Sequence, residues 1–255
     1  TASVARQARV AAAAGLWKAD SSWLCSTSMN RLSIILPVLN EAAFIGTALQ
    51  TLQDVRQRGA ELVVVDGGSS DDTVQLAAAL ADRVVVARAG RARQMNRGAE
   101  LASGEMLLFL HLDSELPEGA MEFVEQQFGS TANHWGWFDV RLSHPGFAYR
   151  VIAKFMNFRA RLSRVCTGDQ ALFLSRPLFE QVGGFPELPL MEDVAMSKRL
   201  RQLSPPTVCK QPVIASSRRW EEKGLLNTVL LMWKLRLLYF FGVSPDRLAT
   251  LYYSE

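Results

Sequence analysis

Strand-like and helix-like stretches alternate along this chain from residue 31 onward. Leu32–Val38 (LSIILPV) is almost unbroken in apolar residues, the pattern of a strand covered on both faces. Glu61–Asp66 (ELVVVD) has the same character, and Val84–Ala87 and Glu105–Leu110 predict two more strands. Between them the apolar spacing turns helical, over Glu41–Arg56, Asp72–Ala81 and Arg91–Ala102. This alternation with short connections predicts an α/β fold, a doubly wound, mostly parallel sheet flanked by helices. Such sheets bind ligands beyond the carboxyl ends of their strands, so the polar residues just after each strand are the first candidates for a site.

The second half is less regular. Pro117–Phe128 reads as helix, Trp135–Leu142 as strand, Phe147–Arg161 as a basic amphipathic helix and Ala171–Ser175 as strand. Helices are then expected over Glu192–Leu203, over the long apolar stretch Gly224–Phe241, and over Pro245–Tyr253.

Composition narrows the classes. The chain has 255 residues, 49% of them apolar, enough for one large α/β domain. Its 28 basic residues nearly balance 25 acidic ones, for a net charge of +3, so no dense basic surface for nucleic acid is expected. Cys25, Cys166 and Cys209 are far apart and form no C-x-x-C pair. They predict neither a disulfide framework nor a zinc site, and fit a reducing, cytoplasmic setting. Gly224–Val243 comes nearest to a membrane span, but Lys234 and Arg236 interrupt it. Residues 1–28, rich in Ala and Ser, are expected to form a disordered extension outside the fold, with Met29 as the natural start and 29–255 as one domain.

The strand ends carry the chemistry. Strand one runs into Pro37-Val38-Leu39-Asn40-Glu41, with no G-x-G-x-x-G, which argues against a dinucleotide-binding dehydrogenase. Asn40 either caps the next helix or, with Glu41, edges a nucleotide pocket. Strand two ends in Asp66 before Gly67-Gly68-Ser69-Ser70-Asp71, where glycines permit a tight turn and Asp66 could accept from a base or ribose. Asp71 is expected to cap the following helix. Gly90–Gly98 is dense in donors, and its arginines suit phosphate or form a solvated helix face. Strand four runs into His111-Leu112-Asp113, where a carboxylate beside an imidazole could hold Mg²⁺ or Mn²⁺ against a diphosphate. Glu192-Asp193 opens a helix, either to complement its dipole or to place a general base.

Four segments, SIILPVLNE, VVVDGGSSDDT, GEMLLFLHLDS and MEDVAMSKRLR, stand in an order and spacing that resembles the family 2 glycosyltransferases over residues 31–220. The details HLDS, GRARQMNRGA and TGDQALF are similar to a bacterial branch associated with arsenosugar biosynthesis. The resemblance implies a GT-A fold, with 31–115 as a nucleotide-binding half, 116–220 as an acceptor and catalytic half, and 221–255 as C-terminal helices. It implies inverting transfer of one sugar from a nucleotide-sugar, a UDP-sugar before a GDP-sugar. Asp193 would be the base with Glu192 beside it, and Asp113 the metal ligand. Pro37, Asn40, Glu41, Asp66 and Gly67 would lie on the donor side, together with Arg91, Arg93, Gln94 and Asn96. Gly168, Asp169 and Gln170 would lie on the acceptor side, as would Arg219 and Trp220. Where the family usually has Asp-x-Asp, His111 takes the first position, so it could ligate metal, contact phosphate or pack.

Gly224–Phe241 carries a broad apolar surface with Lys223, Lys234 and Arg236. It could lie in the interface of a membrane's inner face, near a lipid-linked acceptor, or pack on the core or a second subunit. Two other functions stay open from sequence: a nucleotidyltransferase on a similar sheet, and a non-catalytic sugar- or nucleotide-binding module at a membrane surface.

Overall fold

The computed structural model describes residues 32–127 and 134–253. The 1–28 extension, Met29, Cys25 and the Phe128 end of an expected helix lie outside the described residues.

An eight-stranded sheet in the order β3-β2-β1-β4-β7-β6-β8-β5 organises the molecule. Its first half is the expected parallel sheet: β1 (Leu32–Val38), β2 (Glu61–Asp66), β3 (Arg83–Val86) and β4 (Met106–Phe109). The register sets Ser33 against Glu61 and Val38 against Asp66, so the strands end level and their following loops emerge together. Alternate residues face opposite sides. Ile34, Leu36, Leu62, Val64 and Leu108 enter one core layer, and Ile35, Val63, Val65, Leu107 and Phe109 the other. Both faces are covered, so the strands read as continuous apolar runs.

Helices α1 (Ala42–Thr51), α3 (Thr73–Ala78) and α5 (Ala120–Glu125) cover the first layer through Ile45, Leu49, Ala77, Met121 and Val124. The expected helix Glu41–Arg56 is interrupted at Leu52, beyond which a short α2 (Gln53–Gln57) continues. Helix α4 (Arg91–Leu101) covers the other layer through Ala92, Met95 and Ala99. It lies so close to β1 that a Cβ at Gly98 would collide with the Ile35 side chain.

The second half turns mixed. Strand β6 (Trp135–Leu142) and β7 (Leu172–Ser175) pair antiparallel, and β7 runs antiparallel to β4. Strands β5 (Ser114–Glu115) and β8 (Thr207–Ala215) form the far edge. No strand was expected at 207–215, because Lys210, Gln211 and Pro212 break its apolar pattern. The structure takes up that break as an irregularity: Phe138 pairs with Cys209, but Val140 pairs with Val213. Helix α6 (Phe147–Ser163) crosses β6, followed by α7 (Arg176–Gln181), α8 (Glu192–Leu203) and α9 (Arg218–Lys223). Helices α10 (Leu225–Phe240) and α11 (Pro245–Tyr253) pack on each other and on Leu190 as a separate small core. Cys166 and Cys209 are free and buried, as expected of small apolar residues. Among the described residues no helix is long and apolar enough to cross a membrane.

Candidate functional site

A cleft of about 710 Å³ opens beyond the carboxyl ends of β1 and β4, where the strand pattern directs attention. Pro37, Glu41, Arg91, Gln94, His111 and Asp113 line one side of it. Gly168, Asp169, Glu192, Asp193, Arg219 and Trp220 also line it, so residues from 37 to 220 share one cavity.

The loop after β2 is self-contained. The Asp66 carboxylate accepts the N–H groups of Gly68 and Ser69, each at 2.8 Å, and the Ser69 hydroxyl. It is 1% exposed and builds its own turn, and neither it nor Gly67 lines the cleft. Asn40 accepts the Ser70 N–H at 2.9 Å, while its own N–H donates to the Ser69 hydroxyl. It ties the β1 and β2 loops together and does not cap α1. Asp71 accepts the N–H groups of Thr73 and Ala42, each at 3.1 Å, and so links the starts of α3 and α1.

Helix periodicity sorts the donors of α4. Arg91 and Gln94, three residues apart, face the cleft. Arg93 and Asn96 share another face and lie outside it: Arg93 pairs with Glu187 at 2.9 Å, and Asn96 brackets the Phe185 backbone with bonds of 2.9 and 2.8 Å. Gln94 is also mostly structural, donating to the Val38 and Val65 carbonyls at 2.8 Å each and bracing the ends of β1 and β2.

The other side of the cleft is held less completely. The turn Gly168–Gln170 places Asp169 with its Oδ1 3.5 Å from His111 Nδ1. The His111 ring packs against Gly168, where any Cβ would collide with it. The Gly168 N–H donates to Asp193 Oδ2 at 2.9 Å, and the Val194 N–H to Asp193 Oδ1 at 2.6 Å. Gln170 is fully buried, closes the Thr167 turn from behind and does not line the cleft. Met191, at the N-cap of α8, adopts a left-handed conformation (φ 69°), a strain of about 1 kcal/mol or more that directs Glu192 and Asp193 into the cleft.

Electrostatics separate these groups. Burial pushes the Asp193 carboxyl above the usual carboxylate range, against the pull of its two N–H donors. Burial also raises Glu192, and the adjacent Asp193 adds to it. Glu41 is raised by burial too; Arg218 opposes this, and Asp113 and Asp71 reinforce it. Asp169 behaves in the opposite way: burial works against its charge, but His111 and then Arg91 and Arg219 outweigh burial and lower it. Burial likewise works against charge on Arg91, but Glu192 and the other anionic groups nearby outweigh it and hold the guanidinium firmly protonated.

Arg159 was missed in the sequence, where it is one of several basic residues on α6. Its Nε and Nη2 are buried, face no acceptor among the described residues, and sit on a side chain lining the cleft. Burial pushes its pKa down, against Asp193. Only its helical phase distinguishes it from Arg161, two residues on, which pairs with Asp139.

Asp113 and His111, the residues expected to meet a hard divalent cation, stand just beyond β4. Asp113 is an exposed carboxylate, its carbonyl fixed by the Ser216 N–H at 3.0 Å, with His111 two residues before it. No group of three or more His, Cys, Asp or Glu side chains that could hold a metal occurs among the described residues. Few protein ligands suit an ion that completes its shell with water and phosphate oxygens.

Known proteins resemble this chain in sequence and in fold. A PGL/p-HBAD biosynthesis glycosyltransferase of Mycobacterium tuberculosis is 41% identical over 93 residues, 34% of this chain and 36% of the relative. The GalNAc(5)-diNAcBac-PP-undecaprenol beta-1,3-glucosyltransferase of Campylobacter jejuni is 32% identical over 107 residues, 39% of this chain and 35% of the relative. The match thus spans about a third of the length of these curated relatives. The crystal structure of glucosyl-3-phosphoglycerate synthase from M. tuberculosis, in complex with Mn²⁺, UDP and phosphoglyceric acid, superposes with a TM-score of 0.57 at 20% identity, covering 85% of this chain and 80% of that one. The architecture is that of the GT-A glycosyltransferases. Residues 33–178, more than half of the sequence, match the glycosyl transferase family 2 profile, and the chain belongs to that family.

Proposed function

We propose that this chain transfers a single sugar, with inversion, from a nucleotide-sugar to an acceptor hydroxyl, and that Asp193 is the general base. The observation that carries this reading is the Asp193 carboxylate: raised in pKa, aimed by the Gly168 N–H, and in the same cleft as Arg91 and Asp113. The acceptor oxygen attacks the anomeric carbon as its proton passes to Asp193. The bond from that carbon to the diphosphate oxygen breaks on the opposite face, and the nucleoside diphosphate leaves. A base with a raised pKa takes that proton more readily. Glu192 keeps the neighbourhood negative, and Arg91 and Arg159 supply positive charge for a phosphorylated substrate.

Asp113, with His111, would hold Mn²⁺ or Mg²⁺, which when bound neutralises charge on the departing diphosphate. The Mn²⁺ and UDP of the M. tuberculosis synthase structure support a divalent metal and a UDP-sugar, with GDP-sugars next. Pro37 and Glu41 would border the donor, Asp169 and Trp220 the acceptor. We keep 31–115 as the donor half and 116–220 as the acceptor half, in a cytoplasmic enzyme. The HLDS, GRARQMNRGA and TGDQALF details support the arsenosugar-associated branch.

The test pairs donor binding with turnover across UDP- and GDP-sugars, with and without Mn²⁺. Asp193→Asn is expected to bind donor like the wild type and fail to transfer. Transfer by this variant at the wild-type rate would remove Asp193 from the role of base.

A further inference from the structure

The apolar face expected on 224–241 is half of a larger one. On α10, Leu226, Leu230, Trp233 and Leu237 are all exposed, with Leu230 at 65%. On α6, Val151, Phe155, Phe158 and Leu162 are exposed with the same i, i+4, i+7, i+11 spacing, and Leu162 reaches 76%. That spacing makes one stripe on each helix. The buried contacts of these helices, such as Ala153, Ala160, Leu231 and Leu235, occupy other positions. The two stripes meet where Phe155 stacks on Trp233, ring centroids 5.6 Å apart. Both residues also line the catalytic cleft, so the apolar surface continues to its mouth. Single exposed apolar residues are ordinary, but two joined stripes of this size on one surface mark an interaction site.

Charge indicates what covers it. Helix α6 carries Arg150, Lys154, Arg159 and Arg161, helix α10 carries Lys234 and Arg236, and neither has an acidic residue. Arg159 faces the cleft and Arg161 pairs with Asp139, which leaves Arg150, Lys154 and Lys234 exposed beside the stripes. A second hollow, about 480 Å³, lies along α10. Arg219, Lys223 and Lys234 line it with Asn227 and Thr228, against the side chains of Leu230 and Leu231. Three cations next to the exposed Leu230 match a phosphate headgroup with its acyl chains alongside. A protein partner would need an acidic rim around an apolar centre, whereas an anionic bilayer supplies both at once.

We propose that α6 and α10 together dock this protein on the surface of an anionic lipid bilayer, with headgroups in the Arg219–Lys223–Lys234 hollow and the mouth of the cleft at the interface. The contact does not depend on the reaction performed in the cleft. It would bring any acceptor held in the membrane within reach of Asp193.

The full chain is tested by co-sedimentation with vesicles of phosphatidylcholine alone and of phosphatidylcholine mixed with phosphatidylglycerol. Partition is expected to be roughly tenfold or more stronger on the anionic vesicles, and to weaken as salt rises. Phe158→Ser with Leu162→Ser on α6, and Leu230→Ser with Leu237→Ser on α10, are each expected to weaken it by at least about tenfold. All four positions are exposed, so thermal melting should not change. Lys154→Glu with Lys234→Glu keeps both stripes and is expected to abolish the preference for phosphatidylglycerol. Equal partition on both vesicles, or full binding by either serine pair, overturns the proposal. So does a dimer in sedimentation equilibrium that the serine pairs dissociate, which would assign the face to a second copy.

Discussion

The carboxylates of this protein fall into two populations that differ in how fully the fold satisfies them. In the parallel half, Glu61 is 2% exposed and accepts from Ser33, from the N–H and hydroxyl of Ser103, and from Arg83. Burial opposes its charge, but these donors more than offset that, and its pKa is lowered. Asp66 and Asp71 are also bonded within their own loops. In the cleft, Asp193 accepts only two N–H groups, Glu192 and Glu41 are raised by burial, and Arg159 keeps buried donors without acceptors among the described residues. A satisfied carboxylate holds the fold together. One left partly unsatisfied at a cleft stores free energy that a substrate can release, and perturbed groups gather where chemistry occurs.

Substitution at one member of each population separates them most strongly. Asp193→Asn is expected to lower the transfer rate roughly 10²- to 10⁴-fold, read as turnover at saturating donor. Glu61→Ala leaves Ser33, the Ser103 N–H and Arg83 without their acceptor. It is expected to cost about 3 kcal/mol in chemical unfolding while leaving turnover of the folded fraction unchanged. A Glu61 variant that melts normally but turns over slowly would collapse the distinction. Asp113→Ala is expected to weaken Mn²⁺-dependent donor binding by at least roughly tenfold, about 1.4 kcal/mol, in a metal titration.

The pH dependence of stability gives a smaller but sharper test, because the two groups have opposite signs. Folding raises the pKa of Asp193, so the folded state binds its proton more tightly than the unfolded chain does. Stability is then lost as pH rises from the ordinary carboxylate range through the raised value. Asp193→Asn should melt above the wild type at neutral pH. Folding lowers the pKa of Glu61, so its contribution is present above the ordinary value and is lost as pH falls through the lowered one. Glu61→Gln should melt below the wild type at neutral pH. Both differences are expected to shrink on acidification in a melting series. If both variants shift the same way at neutral pH, the electrostatic contrast is wrong.

Much of the frame was legible because it is local. The apolar runs at 32–38 and 61–66, and the helix over 192–203, match the structure at both ends. Boundaries slipped where propensity is weak: the 41–56 helix broke at Leu52, and the expected 72–81 helix is only Thr73–Ala78. β8 was missed because its pairing with β6, which lies far away in sequence, tolerates Lys210, Gln211 and Pro212. Asp113 and Asp193 stood out in the sequence because one follows a buried strand and the other opens a helix. Asp66, Arg93, Asn96 and Gln170 lie off the cleft's lining for a shared cause. Residue type predicts what a side chain can bind, but its direction depends on backbone phase and on which donors the fold brings near.

Pattern alone determined that this chain forms a wound α/β sheet with its polar strand ends in register, since burial on both faces demands continuous apolar runs. Motif order alone indicated its family. Only the tertiary structure decided which carboxylates are spent on the fold and which remain for a ligand. It did so by placing Gly168 against His111 and Asp193, burying two Arg159 nitrogens without an acceptor among the described residues, and joining two helices into one exposed face. Those outcomes depend on contacts between segments dozens of residues apart, whose geometry is fixed by packing and not by local spacing.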